Sequence, residues 1–128
     1  MQTKLRLSRV WLGIGWLLVA LVLYLSLTPH PLTLFAFENA DKLEHACAYA
    51  ALSFWFCQFY RQKWSRARVM LALLALGVAI EYVQGWTGYR TFDVLDMLAD
   101  GVGVLGGWLL VLTPLGRVLM HIERFLVR

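Results

Sequence analysis

The sequence predicts an all-α integral membrane bundle of four transmembrane helices in a single domain, with a short amphipathic C-terminal tail. Three observations carry that prediction. Of the 128 residues 60% are hydrophobic and only 16% are charged, against about 45–50% and about 25% in a soluble domain. The mean hydropathy is +0.63. The apolar residues fall into four long runs, each close to the ~20 residues that cross about 30 Å of hydrocarbon.

The first run, residues 10–27, contains no charge and follows Lys4, Arg6 and Arg9. A secretory signal would have a shorter apolar core and a small-residue cleavage site. Here the run closes on Thr28-Pro29-His30-Pro31, so an uncleaved first span is expected, stopped by its prolines. Residues 32–40 read as a short loop whose apolar side chains dip into the interface. The second span, residues 42–60, opens with Asp41, Lys42, Glu44 and His45, acids that suit the positive end of a helix dipole. A basic loop over residues 61–68 leads to the third span, residues 69–86, which carries Glu81 and Gln84 near its exit. Gly85, Thr87 and Gly88 break the pattern.

The fourth span, residues 94–113, organises the rest. Its start is acidic, with Asp93, Asp96 and Asp100 at helical spacing, and Gly103 and Gly107 continue the same face. A face that passes from carboxylates to glycines is suited to other helices rather than to lipid. Pro114 ends the span, and residues 115–128 form a basic amphipathic tail expected on the membrane surface. Trp11, Trp64 and Trp86 fall at predicted boundaries, as an anchoring belt.

Net charge is +4, but the cations are sorted by loop. The N-terminus, the 61–68 loop and the tail hold ten of the twelve Lys and Arg residues and only Glu123 among the eight acids. Basic loops stay inside, which places both termini on the cytoplasmic side of a bacterial inner membrane. No basic stripe or aromatic stacking platform is present, so no nucleic-acid partner is expected. Cys47 and Cys57 lie roughly 15 Å apart along one helix, too far for a disulfide.

The opposite end gathers Asp41, His45, Tyr49, Glu81, Gln84, Arg90, Asp93, Asp96 and Asp100. Charge inside a span is costly unless it is paired, hydrated or turned inward. Two readings follow. In one, Lys42 and Arg90 neutralise some of the acids and the network only fixes helix register. In the other the cluster is a functional site, with His45, Asp41, Glu81 and Asp96 as candidate acid–base residues. Lys42, Tyr49, Gln84, Arg90, Asp93 and Asp100 are then the candidate ligand-binding residues. Arg90 and Lys42 suit an anion such as a lipid-linked head group. No compact metal spacing is present, and neither a metal nor a cofactor is expected.

Three ordered motifs are similar to the VanZ-like family of small bacterial membrane proteins. They are Asp41-Lys42-x-x-His45-x-x-x-Tyr49, then Glu81-x-x-Gln84, then Arg90-x-x-Asp93-x-x-Asp96-x-x-x-Asp100-x-x-Gly103, with Ser26-Leu27-Thr28-Pro29 before them. The resemblance covers roughly residues 20–110. Asp100 stands where the family pattern often has asparagine. The family's founding member is associated with teicoplanin resistance, so the resemblance implies an envelope-related role rather than a particular reaction.

The expected function is recognition of an anionic envelope component, a phospholipid or lipid-linked cell-wall intermediate, in a polar outer pocket. The alternatives are a lipid-modifying enzyme using a His/carboxylate pair and a small proton-coupled transporter. Four spans are few for transport unless two copies pair, so a homodimer belongs with that last reading.

Overall fold

A computed structural model describes residues 5–29, 38–88 and 92–128. Five α-helices follow in order among them: α1 (Ser8–Leu27), α2 (Ala40–Phe59), α3 (Lys63–Thr87), α4 (Val94–Val111) and α5 (Val118–Leu126), with a 3-10 turn at Pro114–Arg117 before α5. The described residues contain no strand. The protein is all-α, as the hydropathy pattern requires.

Helices α1, α3 and α4 are each long and apolar enough to cross a membrane. Their outer faces expose Trp16, Leu17, Leu71, Val78, Leu98 and Val102, side chains that water would not tolerate in such number but lipid does. Helix α2 matches them in length but carries Asp41, Lys42 and Glu44 in its first turns. It compensates by being the most enclosed of the four, burying Tyr49, Leu52, Ser53, Phe56, Cys57 and Gln58. The core is Tyr49, Leu52 and Phe56 of α2 with Leu73 of α3 and Val104 of α4.

The main packing is α2 against α4, and the glycines explain it. A Cβ on Gly103 would overlap the Ala46 carbonyl oxygen, and one on Gly107 would overlap that of Ala50. Small residues let two backbones approach closely where no hydrophobic effect drives helices together. The approach is fixed further by the Ser53 hydroxyl, which donates to the Val104 carbonyl at 2.7 Å.

Several boundaries differ from expectation. Helix α3 begins at Lys63, so most of the predicted basic loop is its first turns, and Arg66 reaches back to the end of α2, where its Nε donates to the carbonyls of Cys57 and Tyr60 at 2.9 and 3.2 Å. Helix α4 stops at Val111 rather than residue 113, because Thr113 before Pro114 is forced extended (φ −85°, ψ 171°). Gly85 does not break α3. The helix runs on to Thr87 and ends at Gly88 in the left-handed region (φ 77°), where glycine carries no Cβ penalty. The apolar loop predicted over residues 32–40 falls largely outside the described residues.

Trp11 is not part of an interfacial belt. It is buried, and its indole N–H donates to Glu123 at 2.8 Å. The Glu123 carboxylate also accepts the backbone N–H groups of Arg6 and Leu7 at 2.5 and 2.9 Å. Helix α1 has no side-chain cap of its own, so an acid from the far end of the chain takes the N–H of its N-cap Leu7 and of Arg6 just before it, and meets its positive dipole end. Although burial opposes ionisation of Glu123, these three donors hold its carboxyl below the usual glutamate range. The tail is therefore clasped to the bundle, with Leu119 buried and its N–H donated to Gln58 at 3.0 Å. Cys47 is exposed and Cys57 buried, both as free thiols.

Candidate functional site

The first turns of α2 and α4 and the last turns of α3 meet at one end of the bundle. Both N-termini present the positive ends of their dipoles there, which favours acids. Asp41 and Asp96 lie in those first turns, and Asp93 is the N-cap of α4, its side chain accepting from the Leu95 N–H at 2.9 Å. Asp93 therefore precedes the helix rather than riding on its face with Asp96 and Asp100.

Lys42 is the hub of the outer layer. Its ammonium lies 2.8 Å from Asp41, 2.7 Å from Asp93 and 2.8 Å from Asp96. Its hydrogen bond, with that from the Leu95 N–H, holds the Asp93 carboxyl below the usual aspartate range. Oxygens of Asp41, Asp93 and Asp96 lie within 4.8 Å of one another, a set that would suit a divalent cation. The Lys42 ammonium already fills the focus of those three carboxylates.

Below this layer sits His45. Its Nδ1 is 2.8 Å from Asp100 Oδ1 and its Nε2 is 3.8 Å from Asp96 Oδ2. The first is a hydrogen bond. The second is too long for one, so Nε2 faces a carboxylate without being spent on it. Asp100 is only 2% exposed, and its side chain packs on Gly77 of α3, where a Cβ would collide with it. A small residue on α3 thus makes room for an acid on α4.

Glu81 has no solvent exposure. One of its oxygens accepts the Asp93 backbone N–H at 2.6 Å, tying the end of α3 to the start of α4. The other has no hydrogen-bond partner among the described residues, and neither has the hydroxyl of Tyr49, 2% exposed. Gln84 serves the scaffold: its amide donates to the Ser26 carbonyl at 2.7 Å and fixes α3 to α1.

The structure thus brings together Asp41, Lys42, His45, Tyr49, Glu81, Asp93, Asp96 and Asp100 from three helices. Arg90 lies outside the described residues. Clefts of about 300 and about 530 Å³ open elsewhere, the first beside Trp16 and Phe56, the second at the basic end. Chemically, a His–Asp pair with an unspent ring nitrogen can move a proton, and buried acids can accept hydroxyl or amine donors.

Sequence reasoning missed two features. The backbone bond from Asp93 to Glu81 has no signature in spacing. The Glu123 clasp did leave a signal, since Glu123 is the lone acid on the basic side.

Comparison with the curated proteins and with the solved structures gave no match. The family model described as VanZ/LLP1 matches residues 16–119, a span that begins within α1, ends at the start of α5 and contains every residue of the acidic centre. The chain is a membrane protein by its helices, and by that match it belongs to the VanZ/LLP1 family.

Proposed function

We propose that the acidic centre receives the polar head group of an envelope lipid, a phospholipid or a lipid-linked cell-wall intermediate, in work that bears on envelope function and glycopeptide resistance. The sorted loop charges support an orientation with both termini cytoplasmic and this centre on the outer side of a bacterial inner membrane. One observation carries the reading: among the described residues, the buried Glu81 Oε2 and the Tyr49 hydroxyl have no hydrogen-bond partner beside the His45–Asp100 pair. Unsatisfied buried polar groups are costly, and a ligand that offers hydrogen bonds would satisfy them.

The pairing of Lys42 changes how such a ligand is held. Lys42 is shared among three carboxylates, so the anionic part of the head group falls to Arg90, while the acids take its hydroxyl or amine donors. Arg90→Ala and Asp96→Ala are expected to insert normally yet fail to restore the envelope phenotype of a deletion strain, read as teicoplanin sensitivity. Full restoration by both variants would refute the proposal.

A second reading is favoured by the 2.8 Å His45–Asp100 bond with Nε2 unspent. It makes the pair the acid–base element of a lipid-modifying enzyme. Lipid mass spectrometry of a His45→Ala strain separates the two: an accumulated precursor lipid supports chemistry, and an unchanged lipid profile with a lost phenotype supports binding.

A further inference from the structure

The opposite end of the bundle carries a cleft that the acidic centre does not use. It has a volume of about 530 Å³ and opens to the surface, within the ~300–1,000 Å³ typical of small-ligand sites. Arg61 after α2, Arg66 in α3, Arg117 at the end of the 3-10 turn and His121 in α5 line it, over an apolar floor of Val111 and Leu112. No carboxylate is among its lining residues. The acid on this side, Glu123, is committed to Arg6, Leu7 and Trp11.

Two of the four basic groups are already anchored by backbone. Arg66 is held through its Nε by the Cys57 and Tyr60 carbonyls. His121 Nδ1 lies 2.8 Å from the Arg117 carbonyl oxygen. Their ordering entropy is therefore spent before any ligand arrives. The floor is the end of a membrane-crossing helix, so the cleft straddles the boundary between charged surface and hydrocarbon. A phosphate attached to acyl chains meets those two environments together, and arginines bind phosphate through forked donors.

We propose that this cleft is a binding site for the phosphate of an anionic glycerophospholipid. It is independent of the acidic centre and stands whether or not that centre binds a head group. The test is native mass spectrometry of the full chain in detergent, titrated with phosphatidylglycerol, phosphatidylcholine or inorganic phosphate. The wild type is expected to retain phosphatidylglycerol over phosphatidylcholine. The Arg61→Gln/Arg117→Gln pair is expected to weaken phosphatidylglycerol about fivefold per arginine, as loss of one such charge near an anionic head group implies.

The control is Lys63→Gln/Arg68→Gln, which removes two exposed charges from the same end without touching the cleft. It is expected to leave the preference nearly unchanged. Equal losses in the two pairs, or equal retention of both lipids by the wild type, would overturn the site. Binding of inorganic phosphate as tight as that of phosphatidylglycerol would overturn the lipid assignment. Should the first pair fail to fold, Arg117→Gln alone, at an exposed position, carries the same comparison.

Discussion

The contact between α2 and α4 positions every candidate residue, and Gly103 tests it. A methyl group there would fall on the Ala46 carbonyl oxygen and 3.0 Å from its Cα and carbonyl carbon. An ordinary C···O approach is ~3.3 Å, so the helices must part by about 1 Å. Asp100 lies one turn away, roughly 4.5 Å along the axis, too near to escape that shift. The 2.8 Å His45–Asp100 bond would open beyond hydrogen-bond range. Overpacking costs about 1–3 kcal/mol, and a hydrogen bond to a charged group contributes about 1.5–3 kcal/mol, so Gly103→Ala is expected to lose about 3 kcal/mol. Gly106→Ala is the control, because a Cβ there meets nothing within 4 Å. It is expected to gain about 0.5–1 kcal/mol from helix propensity. Equilibrium unfolding in mixed micelles reads both, and the NMR signals of the His45 ring report the bond. If Gly103→Ala matches Gly106→Ala in stability and leaves the His45 signals in place, the helix approach does not hold the site together.

Lys42→Met removes the cation from a nearly buried Asp96. It is expected to cost about 2 kcal/mol, below the 3–5 kcal/mol of a fully buried pair because the ammonium is partly solvated. Millimolar Ca²⁺ should recover part of that loss in the variant but add nothing to the wild type, read from thermal unfolding. Glu123→Gln keeps the shape of the clasp but replaces charge-assisted bonds by neutral ones, and should cost about 1–2 kcal/mol. The pH dependence follows from the lowered pKa of Glu123. Its contribution is complete above the unfolded-state value of about 4.3 and is lost as pH falls through the lower folded-state value. The wild type should therefore lose its advantage over Glu123→Gln on acidification from pH 5, and a constant difference down to pH 2 would contradict the clasp.

The helices were legible because their signals are long and local. Apolar runs give length, prolines and Gly88 give stops, and carboxylates at three- and four-residue spacing share a face wherever a helix forms. Gly103 and Gly107 also marked a face of α4 for another helix, though not for α2 in particular, since glycine on a helix face has few uses besides close approach. What the pattern could not supply was pairing. Lys42 is attached to Asp93 and Asp96, more than fifty residues away, as well as to its neighbour Asp41, and no periodicity encodes that choice. The same limit hid the Glu123 clasp, which joins residues 112 or more apart in sequence, and misplaced Trp11. A tryptophan at a helix start reads as an interfacial anchor until a distant acceptor turns it inward.

The pairing also bears on whether the acidic centre merely fixes register. A register device is best served by full mutual satisfaction, because a half-satisfied buried network is worse than an apolar one. The outer layer comes nearer that standard: one ammonium reaches all three of its carboxylates. The inner layer does not. Glu81 and Asp100, the most deeply buried acids of the centre, share only the imidazole of His45 as a basic group among the described residues, and Glu81 and Tyr49 each keep an oxygen unpartnered. The tie that Glu81 makes to the Asp93 backbone N–H uses one of its oxygens, and a neutral glutamine would hold it at lower cost in desolvation. The layered arrangement, with the carboxylates of the rim sharing one ammonium and the acids beneath it short of partners, is what a site needs if its partner arrives from outside. Glu81→Gln separates the two roles, because it keeps an acceptor for the Asp93 N–H and removes the charge: a register device would survive it with stability intact and the phenotype retained, whereas a site that needs the carboxylate would keep its fold and lose the phenotype.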